Sequence, residues 1–311
     1  MKKRVLSAML VAAMAMTAMP SQTFAEGALD AAQQTGKLSY DGYKEVWHDE
    51  FNGDSLNRAD WNVETHEKGW VNNELQEYVD SAENIQVKDG KLIINPVKKV
   101  TDGDTGSTKE AASYTSGRVS TQNKQTFIYG RFECRAKVPK GQGYLPAFWL
   151  MANDENVYGQ WPRCGEIDCM EVMGQETNKA YGTLHYGNPH SQSQGTYTIT
   201  DGADFSDDFH TFTCDWEPGK ITWYVDGVKY HEESEWHSTT VGQGTLAYPA
   251  PFDQPFYIIL NLAVGGSWVG NPNDETSFEN NPYVIDYVRV YQKDSYDEDV
   301  KRPGEISLVM S

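Results

Sequence analysis

Between Tyr43 and Gln292 the chain never settles into a helical period. Short runs alternate apolar and polar residues, and Gly, Pro, Asp or Asn interrupts each run within about ten residues, as strands and tight turns require. Arg131 to Val138 alternates in strict period two. Ile85-Gln86-Val87, an Asp89-Gly90 turn and Lys91 to Ile94 form a hairpin signature. Tyr114–Ser120, Phe127–Val138, Tyr144–Leu150, Ala180–Tyr186, Phe209–Trp216, Ile221–Tyr230, Phe256–Val264 and Tyr283–Tyr291 also read as strands, the Ile221 run turning at Asp226-Gly227. Gly187 to Asp208 reads as a polar loop. A chain of many short strands must close into an antiparallel sandwich or barrel. We expect an all-β, antiparallel β-sandwich, whose concave face offers a cleft to an extended ligand.

The flanks differ. Met1–Ala25 has a basic start (Lys2, Lys3, Arg4), an apolar middle and a Thr23-Phe24-Ala25 cleavage site, which predicts a secretory signal peptide. Residues 26–42 form an N-terminal lead-in with a short helix at Ala28–Gln34, 43–292 the domain, and 293–311 a charged tail. Thr101–Thr108 reads as a loose loop tip. The formal charge is −19, and loss of the three basic residues with the leader takes it to −22. With no basic stripe, the chain is a poor partner for nucleic acid or an anionic membrane, and a neutral ligand suits it better than a sulfated polymer. Nine Trp and eighteen Tyr exceed what a core needs in places, since several stand in polar, Gly-rich stretches where flat rings can stack on sugars. Four cysteines, Cys134, Cys164, Cys169 and Cys214, allow three pairings if all are oxidised. Cys164 and Cys169 are poor partners, because five extended residues span roughly 16 Å and a disulfide needs Cα atoms within about 7 Å. Bridges and buried free thiols both stay open, and no spacing resembles a zinc site.

Gly165-Glu166-Ile167-Asp168-Cys169-Met170-Glu171 sets three carboxylates in a strand context. Glu166 and Asp168 share a face, but Glu171 has the opposite parity and would point into the core, where an unpaired carboxylate is costly. One extra residue, a β-bulge, returns it to the face of Glu166. Three acids on one face suit a two-carboxylate glycosidase, a metal site or a solvated acidic strand edge.

This motif resembles the active-site signature of glycoside hydrolase family 16. Its longer, bulged form is similar to the laminarinase-like branch, the endo-β-1,3-glucanases. His48-Asp49-Glu50-Phe51-Asn52-Gly53, Gly130-Arg131-Phe132-Glu133, Pro146-Ala147-Phe148-Trp149-Leu150, Gly182-Thr183-Leu184-His185-Tyr186 and Asn261-Leu262-Ala263-Val264-Gly265-Gly266 resemble the family as well. The resemblance implies a concanavalin-like jelly roll, with Glu166 as nucleophile, Glu171 as acid/base and Asp168 as assisting acid. It implies a sugar-stacking role for Trp161, a place beside the catalytic pair for His185, and glycone contacts for Asn73 and Arg118. Trp149 and Trp268 stand between ligand contact and packing. It further implies no catalytic cofactor, and a structural calcium ion, remote from catalysis, on Glu50, the Gly90 carbonyl and Asp286. The expected protein is an exported monomeric hydrolase of neutral β-1,3-glucan. A β-1,3-1,4-glucanase and a non-catalytic glucan-binding lectin are the rival readings. Cys164 and Cys169 depart from the small or aliphatic residues usual at their positions.

Overall fold

Phe256–Val264 is the deepest strand: all nine of its residues are buried, as its near-continuous apolar sequence requires. Around it a computed structural model describes residues 40–99, 113–240, 242 and 244–304. The expected leader, the Ala28–Gln34 helix, the Thr101–Thr108 loop and residues 305–311 lie outside the described residues.

Two eight-stranded antiparallel sheets form the sandwich. One, here the cleft sheet, runs in the order Ser191–Thr198, Lys179–Tyr186, Glu166–Glu171, Tyr144–Ala152, Phe256–Val264, Arg118–Ser120 and Asn62–Val63, with Thr126–Phe127 also on Phe256–Val264. The other, the rear sheet, runs Val228–Glu233, Lys220–Val225, His210–Glu217, Gly130–Lys137, Tyr283–Lys293, Lys91–Ile94 and Ile85–Lys88, with Tyr43–Asp49 also on Tyr283–Lys293. Short strands Gln76–Tyr78, Ser113–Ser116 and Val97–Lys99 make a separate three-stranded sheet. There is no helix among the described residues. The all-β antiparallel sandwich expected from the turn spacing is the fold.

Inward side chains of the two sheets meet in one core that includes Trp61, Trp216, Trp223 and Trp236, all fully buried. Each such ring contributes about 1.5–3 kcal/mol by leaving water. Trp70, Trp161 and Trp268 are by contrast exposed. The aromatic surplus thus divides between core and surface. All four cysteines are buried free thiols, which selects the unbridged alternative.

The hairpin turns form where Asp-Gly pairs predict them. Asp89-Gly90 and Asp226-Gly227 all have positive φ, as a two-residue type I′ turn demands. Two expectations change. The Tyr114–Ser120 run breaks at Gly117, where Ile85 packs 2.6 Å from the place a Cβ would occupy. Ser113–Ser116 then joins the small sheet and Arg118–Ser120 the cleft sheet. The expected Gly187–Asp208 loop contains the strand Ser191–Thr198, an edge strand whose residues alternate between half-buried and exposed. Only Tyr197 of its half-buried face packs against the core, so it carries no apolar period to read.

Candidate active site

The bulge is present. Phe148 pairs with Met170 and Trp149 with Asp168, which leaves Cys169 without a partner on that side. On the other side Thr183 pairs with Asp168 and Tyr181 with Glu171, so one residue is again in excess. Cys169 and Met170 consequently both enter the core, at 1% and 0% exposure. Glu166, Asp168 and Glu171 line the same hollow on the opposite face. Two glycines permit this. Gly165 (φ +84°) turns the chain into the strand where a Cβ would stand 2.9 Å from Phe252 and Pro251. At Gly182 a Cβ would lie 2.4 Å from the Trp223 ring, and its absence lets Trp223 reach through the sandwich. Trp223 Nε1 donates to the Asp168 carbonyl at 2.8 Å, which ties the bulge to the rear sheet.

The three acids have unequal neighbours. Trp161 Nε1 donates to Glu166 Oε2 at 2.6 Å. His185, directly across the strand pair from Glu166, places Nε2 3.2 Å from Asp168 Oδ2 and 4.0 Å from Glu166 Oε1. Burial and the Asp168 charge push the Glu166 carboxyl up to about 8, while His185 and the Trp161 N–H pull the other way. Glu171 has no such counterweight. Burial first, then the charges of Asp168, Glu166 and Glu74, hold it well above the usual carboxylate range. Burial opposes a charge on His185, but hydrogen bonding to Asp168 and the two acids' charges outweigh it and raise its pKa.

The remaining expected ligands are partly assembled. Arg118 is buried on the cleft floor, where its Nε donates to Glu64 Oε2 at 2.5 Å. Its guanidinium lies 4.8 Å from the Trp149 ring and 5.2 Å from that of Trp70. Trp149 Nε1 donates to Asn261 Oδ1 at 2.7 Å, so its edge is committed to packing while its ring lines the cleft. Trp161 and Trp268 are about half exposed, and Trp268 meets Tyr181 edge to face. Asn73 sits on the rim and donates to Ser267 Oγ at 3.0 Å; its neighbour Asn72 lines the cleft instead. Trp70, Asn72, Glu74, Gln192, Gln194 and His190 also line the cleft and were not singled out from the sequence. The alternation of Gln192 and Gln194 was the available signal for two of them.

The lining forms two hollows of 390 and 500 Å³ that share Glu166, Glu171 and Trp161. One extends past His185 and Trp268, the other past Arg118 and Trp149. A more open hollow of 670 Å³ beside His66 and Glu77 contains none of the three acids.

Glu50 and Asp286 do not form the expected calcium cage. Both Glu50 oxygens accept from Arg289, at 2.7 and 3.0 Å. Asp286 accepts from Arg135 at 2.6 Å and faces Lys91 Nζ at 3.5 Å. Gly90 occupies the neighbouring turn, with Asn52 Oδ1 3.5 Å from where its Cβ would be. Three cations already neutralise two carboxylates, so this donor set as built does not fit a divalent ion. Among the described residues, the side chains that could chelate one are Glu166, Asp168 and His185, in the cleft.

A jelly-roll sandwich with paired carboxylates in an aromatic-walled cleft is the arrangement of a glycoside hydrolase. The profile of glycosyl hydrolases family 16 matches residues 72–289, and the chain belongs to that family. It is 41% identical over 255 residues to a glucan endo-1,3-β-glucosidase of Cryptopygus antarcticus, a match covering 78% of this chain and 90% of that one. It is 39% identical over 267 residues to glucan endo-1,3-β-glucosidase A1 of Niallia circulans, across 81% of this chain but only 38% of that longer protein. The solved endo-β-1,3-glucanase of Pyrococcus furiosus superposes with a TM-score of 0.68 at 38% identity, covering 81% of this chain and 95% of that one.

Proposed function

We propose that the protein is an exported, monomeric endo-β-1,3-glucanase that hydrolyses neutral, laminarin-like glucan with retention. The observation that carries this reading is the inequality of Glu166 and Glu171. Glu166 has a hydrogen-bond donor and an imidazole to favour its anion; Glu171 has only burial and other acids. Environments that push two carboxyl groups apart assign the roles of base and acid.

Glu166 attacks the anomeric carbon in its anionic form, which the Trp161 N–H and His185 favour against burial and the Asp168 charge, as Glu171 gives its proton to the departing glycosidic oxygen. A glycosyl ester on Glu166 results. Glu171, now a carboxylate, takes a proton from water, and that water's oxygen displaces Glu166 from the same face the leaving group used. Asp168, held beside His185, receives hydrogen bonding that shifts as charge moves on and off Glu166. The reaction uses these side chains alone and no cofactor. Hollows on both sides of the acids suit cleavage within a chain, and the basic-apolar leader supports export.

Initial rates on laminarin and on mixed-linkage β-1,3-1,4-glucan test the linkage, with laminarin expected to be faster. Proton NMR of the first products tests the stereochemistry. The β-anomer is expected first, and early α-anomer would overturn retention.

A further inference from the structure

We propose that His190 is a positioning residue for the catalytic acids, acting through His185. His185 Nδ1 lies 2.8 Å from His190 Nε2, and the two imidazoles lie edge to edge with centroids 5.0 Å apart and planes 20° from parallel. His190 also lies 5.1 Å, centroid to centroid, from Trp161, the indole that donates to Glu166. It thus adjoins both groups that touch Glu166.

A contact of 2.8 Å between two ring nitrogens needs one proton between them. The strongest acceptor near His185 is the Asp168 carboxylate, 3.2 Å from Nε2, so Nε2 carries the proton of the neutral ring. Nδ1 then presents a lone pair, and His190 supplies the N–H through Nε2. When His185 takes up a second proton, Nδ1–H becomes the donor, and His190 accepts by moving its own proton to its other nitrogen. The contact survives both charge states of His185. It fails when both rings are cations, N–H against N–H, or when both present a lone pair. The charged groups nearest the pair are Glu166 and Asp168 of the catalytic strand, and Glu171 and Glu74 line the same hollow. Trp161, Gln192 and Gln194, which line the same hollow, bring no charge. Burial and the nearby His185 both hold the pKa of His190 below the ordinary histidine value, in keeping with a neutral partner. The physical role is that of an outer partner that fixes the tautomer and ring angle of a working histidine.

The inference rests on the reading of Glu166 as nucleophile, and two substitutions in the full chain test it. His190→Phe keeps a ring against Trp161 and His185 but has no N–H. His190→Gln loses the ring and keeps a group able to donate or accept. We expect His190→Phe to lower kcat on laminarin about tenfold with KM within about twofold, and His190→Gln to recover most of the loss. Long-range ¹H–¹⁵N spectra should show His185 as the Nε2–H tautomer in the parent and as a mixture in His190→Phe. Parent-like kcat in His190→Phe, no recovery in His190→Gln, or an unchanged His185 spectrum would overturn the proposal. The spectrum needs no turnover, so it decides the histidine pair even if laminarin is not cleaved, an outcome that would instead refute the proposed substrate.

Discussion

Two groups of acids occupy opposite sheets of this sandwich, and they differ in one respect. Glu50 and Asp286, in the rear sheet region, are held by Arg289, Arg135 and Lys91. Glu166, Asp168 and Glu171, in the cleft sheet, have no guanidinium or ammonium group against them among the described residues; their basic neighbour is His185. Acids with permanent cations against them serve to tie strands together. Among acids left with each other and a titratable imidazole, Glu166 and Glu171 have their proton affinities driven up, which is the condition for moving protons. Residue type is the same in both places, and the partner decides the chemistry.

The largest effect expected from this contrast is on rate. Glu166→Gln should lower kcat by about 10⁴-fold on any glucan, because no covalent step remains. Glu171→Gln should cost about 10²–10⁴-fold on glucan but far less on an aryl glucoside whose leaving group needs no proton. Equal losses on both substrates would break the division of roles. The next effect is on stability. Unfolded Glu166 ionises near its ordinary 4.5, whereas the folded group holds its proton to about 8. Below the ordinary value both states are protonated, and the carboxyl has no effect. Between the two values the unfolded chain releases a proton that the folded chain keeps, so stability falls as pH rises. Because the side chain retains 17% exposure, the loss is smaller than for a dry site. Glu166→Gln should therefore exceed the parent's stability by about 2 kcal/mol at pH 8 and match it at pH 4, as read by urea denaturation. A constant difference across pH would show that Glu166 is not strained by its surroundings.

The cleft acids were legible because everything that defines them is local. Parity within six residues already placed Glu171 wrongly for a regular strand, and the bulge follows from that alone. The ion pairs of the rear acids were not legible because their partners are distant: Glu50 and Arg289 are 239 residues apart, and no spacing announces their meeting. Ser191–Thr198 was missed for a related reason. Strand periodicity is visible when one face is apolar, and this edge strand presents half-buried serines on one face and exposed glutamines on much of the other. Glu74 and His190 stand singly in polar loops, so only the fold shows that they border the cleft. The antiparallel sandwich needed only turn spacing and strand alternation, while the jelly roll was implied by the family resemblance.

The rear sheet gives the smallest predicted effects. Arg289→Met removes both donors to Glu50 and the cation stacked 3.8 Å from the Tyr287 ring. Arg289 is buried but Glu50 keeps 31% of its side-chain exposure, so water can solvate the carboxylate that is left. We expect a loss of about 1 kcal/mol, well short of a fully buried broken pair, with kcat on laminarin within about twofold of the parent. Chelation probes the same place from the other side. If the guanidinium already neutralises Glu50, EDTA should move the parent's melting temperature by less than about 1 °C. A drop of several degrees, restored by calcium, would mean that the ion displaces Arg289 and Arg135 after all. The same titration on Arg289→Met then tells competition from independence: a freed Glu50 should bind calcium more tightly than in the parent, whereas unchanged affinity would place the ion elsewhere.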